Sequence, residues 1–288
     1  MEWLAVSVTV EQEIAEAVAE VLTRTVPAGV VLKPEADARI TVLAYLRVDE
    51  ELDARIQELE ENLGHLDQIW PIPAPTYERI PDQDWTLRWK ETVPVLPIGE
   101  RLVIKPSWRT YTPATSAEVV VDIDPGQAFG LGVHPTTQLC LRELERRIRP
   151  DMRILDLGTG SGILAIAAAK LARVDVWAVD HDAGAVSIAQ KNLHLNEVAE
   201  RVHLHHGSLR DVEGVFDLIL ANLLTPIVVR MLDTGLALRL SPQGLLIASG
   251  ILEEQVAEVV TACEAHALTI EKIARQEDWV AVVAKRRP

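Results

Sequence analysis

The residues best placed for chemistry lie in one short run, 153–162 (RILDLGTGSG), and at two positions downstream of it. Ile154, Leu155 and Leu157 give an apolar stretch of strand length. It is stopped by Gly158, Gly160 and Gly162 at alternate positions, and the alanine- and leucine-rich ILAIAAAKLA that follows favours helix. A buried strand, a glycine turn and a helix let a ligand approach the backbone closely, with the unpaired N–H groups of the helix start offered to it. Asp180 closes the next strand-like stretch, 22 residues after Gly158. An acidic residue at that distance holds the ribose hydroxyls of a nucleoside. The spacing narrows the nucleoside. A dinucleotide turn reads G-x-G-x-x-G, whereas here the last glycine comes one residue early and Ile163 stands in its place. The pattern favours a nucleoside carrying an amino-acid tail over a pyrophosphate. A glycine turn that only connects strand to helix is the plain alternative.

Asn222 follows the apolar run 216–220 (FDLIL), where a polar side chain can face both cofactor and incoming substrate. Its amide donates and accepts, so it can orient an amine without acting as a base; satisfying its own loop is the competing use. Thr136 and Thr137 precede an apolar-periodic helix, which makes them N-cap candidates as well as ligand contacts. His134, in the same loop, reads as a satisfied loop residue. His203, His205 and His206, with His194 nearby, share one short strand of alternating direction and lack the Cys or carboxylate spacing of a metal site; no metal is expected. There is no G-x-S-x-G elbow, which argues against hydrolase chemistry.

Strands are expected at 119–123, 153–157, 175–179, 202–206, 216–220, 245–249, 268–274 and 279–284, with helices at 138–148, 163–172, 185–195, 226–240 and 253–266. This alternation gives a mostly parallel sheet with right-handed crossovers. The last two strands, with no helix between them, form a hairpin and leave one strand antiparallel. Upstream, strands at 3–10, 29–33, 39–47 and 76–80 and helices at 11–25 and 49–63 follow the order β-α-β-β-α-β, a small ferredoxin-like α+β sheet with two helices on one face. No chemical cluster lies there, and it reads as a recognition module. The segment 81–113, with Trp85, Trp89 and Trp108 among Pro94, Pro97 and Pro106, reads as a linker packed by its large rings. The expected domains are 1–80, the linker 81–113, and 114–288.

The 288 residues suffice for two domains. A net charge of −15, from 28 Lys plus Arg against 43 Asp plus Glu, argues against direct nucleic-acid binding; ordinary solubility explains it equally well. Cys140 and Cys263 have no partner pattern, so a reducing cytoplasm is expected. The start, MEWLAVSVTVEQE, lacks the basic segment of a signal peptide, and no apolar stretch is long enough for a membrane span.

Taken together, DLGTGSGILAIAA, DPGQAFGLGVHPTTQLCL, VDHDAGAV with QKNLHLN, FDLILANLL and DQDWTLRWK resemble the class I S-adenosylmethionine-dependent methyltransferases, and within them the ribosomal protein L11 methyltransferase family. The resemblance is specific from about Asp82 to the end; before that it rests on the order of elements. It implies a Rossmann-like methyltransferase domain and S-adenosyl-L-methionine as cofactor. Cofactor contacts are implied at Thr137, Gly158, Gly160, Asp180 and Asn222, with Phe129 and Gly130 in a loop over the cofactor and Asn222 also catalytic. It implies transfer to lysine side chains and the α-amino group of ribosomal protein L11, gripped by the amino-terminal module, with a monomer expected. Leu131 departs from the family, standing where its loop carries threonine. Two other readings stay open. A small-molecule amine methyltransferase would not need the amino-terminal module, and a nicotinamide-dependent dehydrogenase is disfavoured by the glycine spacing.

Overall fold

The computed structural model describes residues 2–25, 30–35, 39–67, 70–81, 93–124 and 131–287. The chain divides into two units, Met1–Thr92 and Val93–Pro288.

In the first unit, β1 (Glu2–Glu11), α1 (Gln12–Thr25), β2 (Val31–Pro34), β3 (Arg39–Arg47), α2 (Leu52–Asp67) and β4 (Thr76–Pro81) follow the expected order. The sheet order is β2-β3-β1-β4, with every pair antiparallel. This is the ferredoxin-like arrangement. Period-two patterning sets the register. Val6, Val8 and Val10 alternate along β1 and are buried with Ile14, Val18 and Leu22 of α1 and Leu59 and Leu63 of α2. The intervening hydroxyls pair across strands instead, Ser7 with Thr76 at 2.6 Å and Thr9 with Thr41 at 2.8 Å.

The second unit begins inside the segment expected to be a linker. Residues 82–92, with Trp85 and Trp89, lie outside the described residues, but β5 (Leu96–Ile98) and β6 (Leu102–Pro106) are strands. They form a separate sheet with β7 (Val119–Ile123) in the order β5-β6-β7. The prolines that read as linker punctuation are compatible with this: Pro97 lies on the edge strand β5, and Pro106 is the last residue of β6. Val119–Ile123 therefore belongs to this small sheet, parallel to β6, and not to the main one.

The main sheet holds β8 (Arg153–Leu157), β9 (Asp175–Asp180), β10 (Val202–His206), β11 (Phe216–Asn222), β12 (Leu240–Leu252), β13 (Leu268–Gln276) and β14 (Trp279–Arg286). The order is β10-β9-β8-β11-β12-β14-β13. All pairings are parallel except those of β14, which runs against both β12 and β13. This is the class I methyltransferase sheet with its antiparallel C-terminal strand.

The helices are α3 (Pro135–Arg147), α4 (Ile163–Leu171), α5 (Ala183–Leu195), α6 (Thr225–Asp233) and α7 (Val256–Ala265). One helical stretch is shorter than the sequence suggests. The segment expected at 226–240 stops at Asp233, and Gly235, at φ +104°, separates it from a 3-10 turn at Leu236–Arg239. Alternate residues of the strands face opposite ways. Leu155, Ile219, Leu246 and Val282 share a core with Val228 and Leu232 of α6 and Val259 of α7. Helix α4 is apolar on all sides, with Ile163 through Ala169 buried, as a helix enclosed by neighbours must be. None of the described helices is long and apolar enough to cross a membrane.

Candidate functional site

A cavity of about 450 Å³ opens at the edge of the main sheet where its parallel strands end. Open α/β sheets bind ligands at that edge. Strand order decides which residues arrive there. Asp180 ends β9, Gly158 follows β8, Asn222 ends β11, Gly250 comes from the far part of β12, and Trp279 opens the reversed β14; all line the cavity.

The glycine turn is held by its own backbone and by two carboxylates. Gly158 N–H and Thr159 N–H both donate to Val179 O, at 2.9 and 3.1 Å, and Gly162 N–H donates to Thr159 O at 2.9 Å. Gly158 sits at φ +74°, an angle that favours glycine, and a Cβ there would lie 2.5 Å from Leu223 Cδ2, so that the leucine side chain would have to move aside. Asp180, 8% exposed, accepts from Gly160 N–H through Oδ2 at 2.9 Å and from Asp182 N–H through Oδ1 at 3.0 Å. A carboxylate oxygen accepts more than one hydrogen bond, so Asp180 keeps capacity for hydroxyl donors in the cavity.

Asp156 grips the same turn from beneath. Its Oδ2 accepts from the Thr159 hydroxyl at 2.7 Å and from Ala165 N–H of α4 at 3.1 Å. Its Oδ1 is buried with no partner, and burial pushes the carboxyl up to about 7, with Asp180 adding to the rise. Nothing in the sequence singles it out, since an acid inside LDL reads only as an interruption in a buried strand.

On the other side of the cavity, α3 starts earlier than its apolar spacing suggests. Pro135 is its first residue, and His134, not a threonine, is the N-cap, its ring Nδ1 accepting from Thr136 N–H at 3.4 Å and lying 2.8 Å from Thr136 Oγ1. Both threonines sit inside the first turn. Burial lowers the His134 pKa, with Glu277 opposing, which favours the neutral ring that can accept at its cap. The His134 ring meets Trp279 edge-on at 4.9 Å, and both line the cavity. Trp279 was visible in the sequence only as the start of a strand; a lone tryptophan after the turn residues Glu277 and Asp278 is its one sequence signal.

Thr137, 1% exposed, accepts from Asn222 Nδ2 at 3.2 Å. With its nitrogen turned to Thr137, the Asn222 amide keeps its oxygen as an acceptor for another partner. Asn222 is the last residue of β11. The cavity thus brings together Thr137, Gly158, Gly160, Asp180 and Asn222. Phe129 and Gly130 lie outside the described residues, while the neighbouring Leu131 is buried.

The strand histidines are engaged elsewhere. His203 Nε2 lies 3.0 Å from Asp175, and Trp177 stacks on His205 with centroids 5.1 Å apart. Among the described residues, no group of three or more His, Cys, Asp or Glu could hold a metal ion.

The comparisons with known proteins agree with this geometry. Residues 2–287 match the family model described as ribosomal protein L11 methyltransferase (PrmA). A ribosomal protein L11 methyltransferase of Chloroflexus aurantiacus is 39% identical, covering 99% of this chain and 98% of its own length. Another of that name from Heliobacterium modesticaldum is 35% identical over the same shares. The crystal structure of a ribosomal protein L11 methylase from Lactobacillus delbrueckii subsp. bulgaricus superposes with a TM-score of 0.63 at 35% identity, covering 67% of this chain and 99% of that one. With a family model spanning nearly the whole sequence and relatives matched end to end, the chain belongs to the ribosomal protein L11 methyltransferase family.

Proposed function

We propose that this protein transfers methyl groups from S-adenosyl-L-methionine to amino groups of ribosomal protein L11, its lysine side chains and α-amino terminus. The observation that carries the reading is the linear order of the site. Neighbouring strands are about 4.8 Å apart, and the edge runs from Asp180 through the glycine turn to Asn222 and on to Trp279. That order suits a nucleoside at Asp180, an amino-acid tail over Gly158 and Gly160, and the acceptor beyond Asn222. The cavity fits such a group: its volume lies in the usual range for a small-molecule site, Asp180 offers acceptors for ribose hydroxyls, and the missing Gly158 side chain leaves the floor open.

When bound, S-adenosyl-L-methionine supplies an already activated sulfonium methyl group, so the protein's contribution is positioning and exclusion of water. An amine attacks only when neutral. A free lysine is neutral in about one part in 2,500 at pH 7, a cost of roughly 4.6 kcal/mol, while an α-amino group costs only about 1.4 kcal/mol. Asn222 oxygen accepts a hydrogen bond from the amine and aims its lone pair; Thr137 holds the Asn222 amide so that this oxygen faces the acceptor. Neither is a base, and the proton leaves to solvent. The domain division follows the same reading: the amino-terminal module recognises the protein substrate, and the remainder performs the transfer.

The deciding experiment is mass spectrometry of purified ribosomal protein L11 incubated with this protein and methyl-labelled S-adenosyl-L-methionine. Mass gains in whole methyl units, mapped to amines, are expected. No gain with cofactor binding intact would redirect the activity to another protein or a small amine. No cofactor binding would overturn the reading of the cavity.

A further inference from the structure

Helix α5 closes with two asparagines four residues apart, Asn192 and its C-cap Asn196, 1% and 6% exposed. That spacing puts both on one face of the helix, and they meet the end of β7 at alternate residues. Asn196 Oδ1 accepts from Asp122 N–H at 2.9 Å while its Nδ2 donates to Asp122 O at 2.6 Å. Asn192 Oδ1 accepts from Asp124 N–H at 3.0 Å while its Nδ2 donates to Asp124 O at 2.9 Å. Each side-chain amide stands in for a strand residue, supplying one acceptor and one donor to an edge strand whose outer groups need partners.

From there the two diverge. Asn196 Nδ2 also donates to Asn192 O, at 2.8 Å within its own helix, and its Oδ1 accepts from Lys170 Nζ at 3.2 Å. Asn192 Nδ2 donates a second time, to Ser161 O at 2.8 Å. Ser161 is the residue between Gly160 and Gly162, at φ +55° and +85°. A peptide flanked by glycines has little of its own to fix its plane. Here the Ser161–Gly162 peptide is fixed at both ends, its carbonyl by Asn192 and its N–H by Thr159 O.

We propose that Asn192 is a positioning residue for cofactor binding: it orients the Ser161–Gly162 peptide, and so keeps the turn that presents Gly160 to Asp180 in its binding shape before the ligand arrives. The proposal rests on the reading of the cavity as the S-adenosyl-L-methionine site. A turn ordered in advance does not have to be ordered by the ligand, and affinity rises accordingly.

The test is calorimetric titration of the full chain with S-adenosyl-L-homocysteine, alongside thermal unfolding, for wild type, Asn192→Ala, Asn192→Asp and Asn196→Ala. Asn192→Asp keeps the acceptor for Asp124 N–H but turns a carboxylate oxygen toward the two carbonyls, so its loss of affinity is read against its own Tm and against Asn196→Ala. Both Asn192 variants are expected to weaken binding about ten-fold or more. Asn196→Ala removes a comparable set of strand contacts, so it should lower Tm to a similar extent with Kd within about three-fold of wild type. Wild-type affinity in the Asn192 variants, or an equal loss in Asn196→Ala, would overturn the proposal. Absence of binding to the wild type would instead remove the reading of the cavity beneath it.

Discussion

Asn222 and Thr137 are 85 residues apart in the chain and joined by a 3.2 Å hydrogen bond, the nitrogen at the end of β11 donating to a hydroxyl in the first turn of α3. The bond uses the donor end of the Asn222 amide and leaves its oxygen with acceptor capacity. Asn222→Ala is expected to lower kcat by about 100-fold while changing cofactor Kd by less than about five-fold, because the lost contact serves the attacking amine. Thr137→Val keeps the shape and removes the acceptor; kcat should fall by about ten-fold. Equal losses in kcat and cofactor affinity would contradict the role given to Asn222.

Gly158 faces two separate constraints, its positive φ and the Leu223 side chain 2.5 Å from where a Cβ would stand. Gly158→Ala should weaken S-adenosyl-L-homocysteine binding at least ten-fold and destabilise the fold by about 1–2 kcal/mol. Adding Leu223→Ala relieves the contact and not the backbone strain, so calorimetry of the double variant should recover only part of the affinity.

Asp156 titrates in the folded protein at about 7, far above an exposed carboxyl, because burial disfavours its charge. A folded-state value above the unfolded one means that folding binds a proton. The stabilisation is complete below about pH 4 and is lost as pH rises to about 7, by up to about 4 kcal/mol. Asp156→Asn imitates the neutral acid. Its Tm relative to wild type should therefore climb from about pH 4 to about pH 7 and level off above that; a pH-independent difference would show that Asp156 does not titrate in that range.

A chain comprising Val93–Pro288 contains the cavity and the main sheet in one unit. It should bind S-adenosyl-L-homocysteine with the Kd of the full chain and fail to methylate ribosomal protein L11. Retained methylation of the protein would remove the recognition role from the amino-terminal module, and retained methylation of a small amine alone would favour the rival substrate class.

Much of this was legible in the sequence because local rules carried it. The alternating Val6, Val8 and Val10 and the helical spacing of Ile14, Val18 and Leu22 are enough to name the elements of the first unit. The glycine turn and the distance to Asp180 are enough to point to the sheet edge where the cavity opens. What local rules could not supply was pairing between distant segments. Nothing near residues 96–106 says that they join Val119–Ile123 in a separate sheet, and proline there reads as a break until the strand is known to be an edge. The N-cap was missed because histidine is a rare cap and threonine a common one; only the fold brings the His134 ring against Trp279. The Asn192 bond to Ser161 spans 31 residues and becomes visible once α5 packs behind the turn.

The reversal of β14 has a practical consequence. Because this strand runs opposite to its neighbours, it enters the sheet at the ligand edge with Trp279 and leaves at the other edge with Arg286. Its eight residues carry the chain roughly 24 Å away from the cavity mouth. A label or surface tether placed at Arg286 is therefore held at the sheet edge opposite the opening, out of the path of a ligand entering the cavity.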